Sequence, residues 1–142
     1  EETLIMNNIL LKKHGIGQTG TAIQLKESPN VEIRSNNISG WQTVVKTNKE
    51  NIETPYALNL ADNDPFAGKY HGNIAEQYSD TFSATKLDSY KLKETSACVN
   101  SGVNVIPFGG PANDRDGQPR PNPYHGVFPA FDIGSDEYYK EE

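Results

Sequence analysis

The stretch NDRDGQPRPN, followed by FDIGSDEY, concentrates the residues of this chain that are best suited to chemistry. Asp114 and Asp116 stand two apart ahead of Gly117, which is how a calcium loop of the form D-x-[DN]-x-[DN]-G begins. The third acidic or Asn position before the glycine is missing, and no Glu follows at the required distance. Asp and Gly also favour turns. A turn is therefore the expected reading, with no cofactor assigned and calcium as the alternative. Arg120 offers different chemistry, because a guanidinium can bind a carboxylate through two parallel hydrogen bonds. Paired with Asp132 or Glu137, it would pin the end of the chain. Asp114, Asp116, Arg120, Asp132 and Glu137 thus form a candidate structural clasp.

A second set of residues suggests glycan contact. A polysaccharide lyase needs a base beside a uronate and cations that neutralise its carboxylate. Lys12 and Lys13 in LLKKHG, with Arg34 and Lys46, are cations on strand-like runs, and Trp41 and Tyr56 offer ring faces. Lys12, Lys13, Arg34, Trp41 and Lys46 are the candidate glycan contacts. The same cations serve solubility on any exposed strand, and both aromatics equally suit loop packing, so no catalytic residue is assigned. His14, His71 and His125 lie far apart in loop-like settings, and DNDPF at 62–66 is a weaker acidic loop. No metal ligand is assigned. Cys98, the single cysteine, has no basic neighbour in SACVNSG to lower its pKa, so buried packing is expected. The serine-hydrolase GxSxG and the phosphate-binding GxxxxGK[ST] are absent. Asn37-Ile38-Ser39 fits a glycosylation sequon and equally well a corner built on Asn.

These residues must be positioned by a chain of 142 residues that is only 35% hydrophobic and carries a net charge of -6. The length suits one modest core, and the scarcity of apolar residues suits a narrow one. Thirteen basic against 19 acidic residues argue against a phosphate-backbone partner, so no nucleic acid is expected. No apolar run approaches the ~20 residues of a membrane span.

Residues 1–60 carry short alternating runs. In TAIQLKESPNVEIRSNNIS, Ile23 and Leu25, then Val31 and Ile33, sit two apart with polar residues between them, a strand period. Asn30-Val31-Glu32 aligns with Asn51-Ile52-Glu53, and MNNI (6–9) aligns with SNNI (35–38) at a different offset. A coil of about 20 to 25 residues with variable loops produces both matches. At such a corner Asn tolerates the left-handed backbone. Aligned Asn amides then bond from coil to coil, and the Ile that follows points inward. Residues 61–87 read as an irregular loop or a last coil, and no amphipathic helix is evident. Residues 88–142 read as a final strand, SYKLKETSACVNSG (89–102), followed by a capping segment rich in Pro and Gly.

DSYKLKETSACVNSGVN, then NDRDGQPRPN, then FDIGSDEY resemble the C-terminal signature of secreted bacterial right-handed parallel β-helix proteins, the choice-of-anchor Q region. The resemblance spans residues 88 to 138. Tyr90 and Leu92 fill its strand positions, Ser96 opens its turn, Cys98 and Val99 take core positions, and Gly102 closes it. Asp114, Asp116, Gly117 and Arg120 match the second block, and Asp132, Ile133, Gly134 and Glu137 match the third. Ala97 stands where the pattern has Pro, and Asn100 where it has Asp. The resemblance implies an all-β fold, the last coils of a right-handed parallel β-helix ending in an irregular cap.

A solenoid leaves an open apolar face and free strand edges at its end, which something irregular must cover. Phe128, Phe131, Ile133, Tyr138 and Tyr139 are the expected cover, stiffened by Pro119, Pro121, Pro123 and Pro129. Because Thr3-Leu4-Ile5 looks like the middle of a strand, the expected partner is a set of N-terminal β-helix coils, in the same protein or as a bound second chain. The expected function is the structural C-terminal portion of a secreted or cell-surface protein that binds or cleaves polysaccharide, with any chemistry upstream. The alternative is a non-enzymatic adhesion module.

Overall fold

A computed structural model describes residues 3–12, 20–26, 30–61, 69–83, 90–126 and 129–140. Six short strands come first: β1 (Thr3–Met6), β2 (Ile9–Leu11), β3 (Thr21–Gln24), β4 (Val31–Arg34), β5 (Asn37–Ser39) and β6 (Thr43–Lys46). Each strand of the first trio pairs in parallel with its counterpart in the second, β1 with β4, β2 with β5 and β3 with β6. A later strand, β8 (Tyr70–His71), continues the first sheet beside β4, and Ile74 forms a parallel bridge to Asn37 beside β5. The chain therefore visits the same sheets in the same order, one circuit laid on the last.

Period-two patterning places the side chains. In β4, Val31 and Ile33 are buried while Glu32 and Arg34 are half-buried on the outer face. Ile5 lies opposite Ile33, and Leu10 opposite Ile38. These residues, with Ile23, Val45 and Ile52, form the narrow core between the sheets. Complete burial of a side chain such as Ile33 contributes about 1.5–3 kcal/mol.

The corner between the first two sheets carries the repeat. Asn7, Ser35 and Gly72 occupy the same place in three circuits, and all three have left-handed backbone, with φ of 56°, 51° and 65°. The residue after each is Asn. Asn8 Nδ2 donates to Asn36 Oδ1 at 3.1 Å, and Asn36 Nδ2 donates to Asn73 Oδ1 at 3.0 Å. The equivalent residues are 28 and 37 positions apart. The alignment of MNNI with SNNI is thus one residue out, because strand register places Asn8, not Asn7, beside Asn36. A one-residue slip would turn every core side chain outward, so the apolar face decides the register. The other near-match does not stack at all. Val31 belongs to β4, whereas Ile52 lies in β7 (Asn51–Ile52), which runs antiparallel to β6 in a different sheet.

That reversal begins the closure of the stack. After β7, helix α1 (Pro55–Ala61) places Leu58, fully buried, in the core. Its Asn59 ends the amide ladder: Asn59 Oδ1 accepts from Asn73 Nδ2 at 2.9 Å, and Asn59 Nδ2 donates to the Asn73 carbonyl at 2.9 Å. No helix was expected here, but local signals specify it. Thr54 Oγ1 accepts from Ala57 N at 3.0 Å, and Pro55 takes the first helical position. A second helix, α2 (Tyr78–Thr81), is a single turn.

The expected strand over 89–102 is absent among the described residues. Leu92 makes an isolated antiparallel bridge to Phe82, and turns follow to Asn100. The terminal segment also lies elsewhere than over the end of the stack. Leu92, Cys98 and Ile133 form a second core that packs against Ile9 and Ile74, on the outer side of β2 and β5. Asn37 lies between those two in the same row and donates to Thr81 Oγ1 at 3.2 Å and Cys98 Sγ at 3.4 Å. The segment reaches the first circuit too: Asn7 exchanges two 2.8 Å bonds with the Val103 backbone, and Gly134 N donates to the Asn7 carbonyl. It is a flank, and α1 with β7 closes the end.

Candidate functional site

The acidic loop forms from its own sequence. Asp114 Oδ1 accepts from Asp116 N and Gln118 N at 2.9 and 2.8 Å, around Gly117 at φ 82°. Asp114 Oδ2 accepts from Glu137 N at 3.2 Å. Asp116 pairs with Lys91 at 3.2 Å. These carboxylates face N–H donors and a cation, an arrangement that builds a turn. Among the described residues, no group of three His, Cys, Asp or Glu side chains converges as a metal site.

Arg120 sits at the centre of the clasp. Its Nε donates to Glu137 Oε1 at 2.7 Å, with both side chains buried. A second nitrogen donates to the carbonyls of Asp132 and Gly134 at 3.1 Å each, and the guanidinium lies 5.0 Å from the Phe131 ring centre. The pairing is therefore with Glu137 through one nitrogen, not bidentate, and the Asp132 carboxylate has a separate task. Its Oδ1 accepts from Asn100 N and its Oδ2 from Tyr138 N, both at 2.6 Å. Burial pushes the Asp132 carboxyl up to about 6; the Asn100 and Tyr138 N–H bonds oppose the rise without cancelling it. Phe131 and Ile133 are buried, Tyr138 packs against the second core, and the Tyr139 hydroxyl donates to the Pro119 carbonyl. Phe128 lies outside the described residues.

Among the described residues the candidate glycan contacts are spread over different sheets. The Trp41 indole N–H donates to the Leu10 carbonyl at 3.0 Å, and the ring packs against the main core with Lys12 Nζ 5.5 Å from its centre. Trp41 is a packing residue. Arg34 lies on the outer face of the first sheet, 3.6 Å from Glu32, whereas Lys46 is on β6 in the third. Tyr56 is exposed on α1. Lys13, His14 and the 62–66 loop lie outside the described residues. His71 is on β8, and His125 sits edge-on to Tyr138. Asn37 of the sequon is fully buried, with its amide committed to Thr81 and Cys98. Burial pushes the Cys98 thiol up to about 11, so it packs as a neutral group.

A cleft of about 1210 Å³ opens between the first circuit and the terminal segment. Leu4, Met6, Ile9 and Leu11, outward-facing residues of β1 and β2, line one side of it. Val105, Phe108, Arg115 and Asp136 line the terminal-segment side, and Tyr78, Phe82 and Tyr90 contribute aromatic rings. Asp136 is only 5% exposed, and its Oδ1 has no hydrogen-bond partner. Burial pushes its carboxyl up to about 6; Asp114 and Asp116 add to the rise, and Lys91 and Arg115 oppose it.

Sequence reasoning missed Asp136, Asn59 and Glu76. Glu76 Oε1 accepts from Ser96 Oγ and Thr81 Oγ1, and Oε2 accepts from Ala97 N. No local pattern distinguishes Glu76 or Asp136 from exposed acids; only their tertiary setting does. Among the described residues no helix is long and apolar enough to cross a membrane. No family model, curated protein or solved structure matches the chain.

Proposed function

We propose that this chain is the C-terminal portion of a secreted or cell-surface right-handed parallel β-helix protein that binds or cleaves polysaccharide, and that its own contribution is mainly structural. The observation that carries this reading is the ordered parallel pairing of β1, β2 and β3 with β4, β5 and β6, joined by an amide ladder at one corner. Stacked circuits of this kind make long, rigid side faces, which suit an extended polymer. Closure by α1 and β7 supports a place at the end of such a stack. Among the described residues β1, β2 and β3 are paired on one edge only. The free edges suit preceding coils, in the same protein or as a bound chain, by backbone strand pairing.

Electrophoresis of the native protein through gels containing neutral or uronate polysaccharides, with an assay for released product, tests the functional reading. Retardation by at least one polymer is the expected result. Absence of both retardation and product for every polymer would sink it in favour of an adhesion module.

A further inference from the structure

We infer that the open edge of β1 and β2 docks one further circuit of strands whose corner carries an Asn, with that Asn donating to Asn8 Oδ1. This rests on the β-helix reading above and deepens it, from a free edge that suits coils to the chemistry the neighbouring coil must present. The amide ladder has a direction. Asn36 Oδ1 accepts from Asn8 N and Asn8 Nδ2, at 2.9 and 3.1 Å. Asn73 Oδ1 accepts likewise from Asn36 N and Nδ2, at 3.2 and 3.0 Å, and Asn59 Oδ1 from Asn73 N and Nδ2, at 3.1 and 2.9 Å. Along the stack, each amide oxygen accepts from the neighbour on the β1 side. The second Nδ2 hydrogen reaches back the same way: Asn36 Nδ2 also donates to the Ile5 carbonyl and Asn73 Nδ2 to the Ile33 carbonyl, each at 2.9 Å. Ile5 and Ile33 both stand three residues ahead of the Asn of their own circuit. Asn8 breaks both rules. Its oxygen has no donor among the described residues, and its second hydrogen turns to the Met6 carbonyl of its own strand at 3.0 Å.

The backbone and the core are open on the same side. Thr3 N and Asn7 N donate to the Asn30 and Arg34 carbonyls, so by strand alternation the Leu4 and Met6 N–H groups face away from β4. Inside, Ile5 and Leu10 are half-buried, whereas their partners Ile33 and Ile38 are 0% and 1% exposed. The occupant must bring a parallel strand, an apolar side chain to set over Ile5, and an amide donor three residues later. That is the Ile-x-x-Asn pattern of Ile5 to Asn8 and Ile33 to Asn36. A second copy of this chain does not fit. A twofold contact brings the same edge against itself, so acceptor would face acceptor at Asn8. Head-to-tail stacking would meet the closed end, where Asn59 has already taken up both atoms of its amide.

The test is a chain in which residues 3–30 are repeated ahead of Thr3. This sets an added Asn 28 positions before Asn8, the interval that separates Asn8 from Asn36. Amide hydrogen exchange at Leu4 and Met6 is expected to slow ~100-fold relative to the unextended chain, as edge N–H groups gain a strand partner. Asn8→Asp in the added copy alone keeps the shape but removes the amide hydrogens, and should lose ~10-fold of that protection. Asn8→Ala in the added copy, which removes the donor without adding charge, should do the same and serves where the aspartate disturbs folding. The inference falls if Leu4 and Met6 exchange as before, or if the Asp and Ala copies protect as well as Asn. It also falls if the unextended chain protects these amides as its concentration rises, the mark of a second copy on the edge. Gel retardation by polysaccharide is read separately. Retardation without docking would keep the glycan reading and remove the added circuit; docking without retardation would do the reverse.

Discussion

The circuits and the terminal segment solve the same problem, polar groups out of water, with different chemistry. Through residue 74 the buried polar side chains among the described residues are Asn7, Ser35, Asn36, Asn37, Thr43 and Asn73, all neutral. From residue 113 onward they are Asp114, Arg120, Asn122, Asp132, Asp136 and Glu137, almost all charged. An amide carries both a donor and an acceptor, so it can pass a hydrogen bond to an identical neighbour and repeat. A carboxylate accepts only, and each one needs its own donors in a fixed place. Repetition favours the first device. An aperiodic segment that must hold one conformation without regular strands is served by the second.

The sharpest way to break this contrast is Arg120→Ala. It would leave Glu137, 2% exposed, buried without its cation and would free two backbone carbonyls. Loss of one partner from a buried pair costs about 3–5 kcal/mol, and urea unfolding should show a drop of that size. An unchanged midpoint would show that the clasp does not hold the flank.

Asn36→Ala should come next. It removes the centre of the ladder, including the bond to the Ile5 carbonyl and those exchanged with Asn8 and Asn73. The expected loss is about 2–3 kcal/mol, mainly from buried groups left without partners. Hydrogen exchange should quicken over β1 and β8 while residues 130–138 keep their protection. Equal loosening in both regions would mean that they are a single polar network.

The smallest effect concerns pH. Asp132 and Asp136 both titrate near 6 in the folded chain, above the ordinary carboxylate range, because burial penalises their charged forms. Between about pH 4 and pH 6 the folded state holds more protons than the unfolded state. Stability therefore falls as pH rises through that window, by about 1–2 kcal/mol for each group once the full ~3 kcal/mol of such a rise is discounted for solvent screening. Asp136→Asn, a neutral side chain of the same shape, should flatten part of the slope and raise stability at pH 7. A profile that is level from pH 4 to 7 would refute the assignment.

Strand content was legible where a period of two is interrupted by Asn, as at Ile23, Val31 and Ile33. The idea that an Asn corner is used more than once was also readable from the likeness of MNNI (6–9) to SNNI (35–38). Register was not, because MNNI and SNNI match best one residue away from the pairing that Ile5 and Ile33 enforce. Helix α1 is too short to show a helical period, and only Thr54-Pro55 announces it. Arg120 and its acids were legible as a group, but choosing Glu137 over Asp132 required the backbone path. The cleft was illegible for a deeper reason. Its sides come from residues 4–11 and 105–136, which only the tertiary fold brings together.

The corner that sets Asn8, Asn36 and Asn73 in line does so although the two intervals between them differ by a full nine residues. What the fold conserves is therefore a meeting point, not a length. Chain inserted between successive corners raises the entropy of closing that circuit only slowly, and it leaves the stacking partners unchanged. Such a molecule can be lengthened along its outline, one excursion at a time, and so acquire new surface without rewriting its interior.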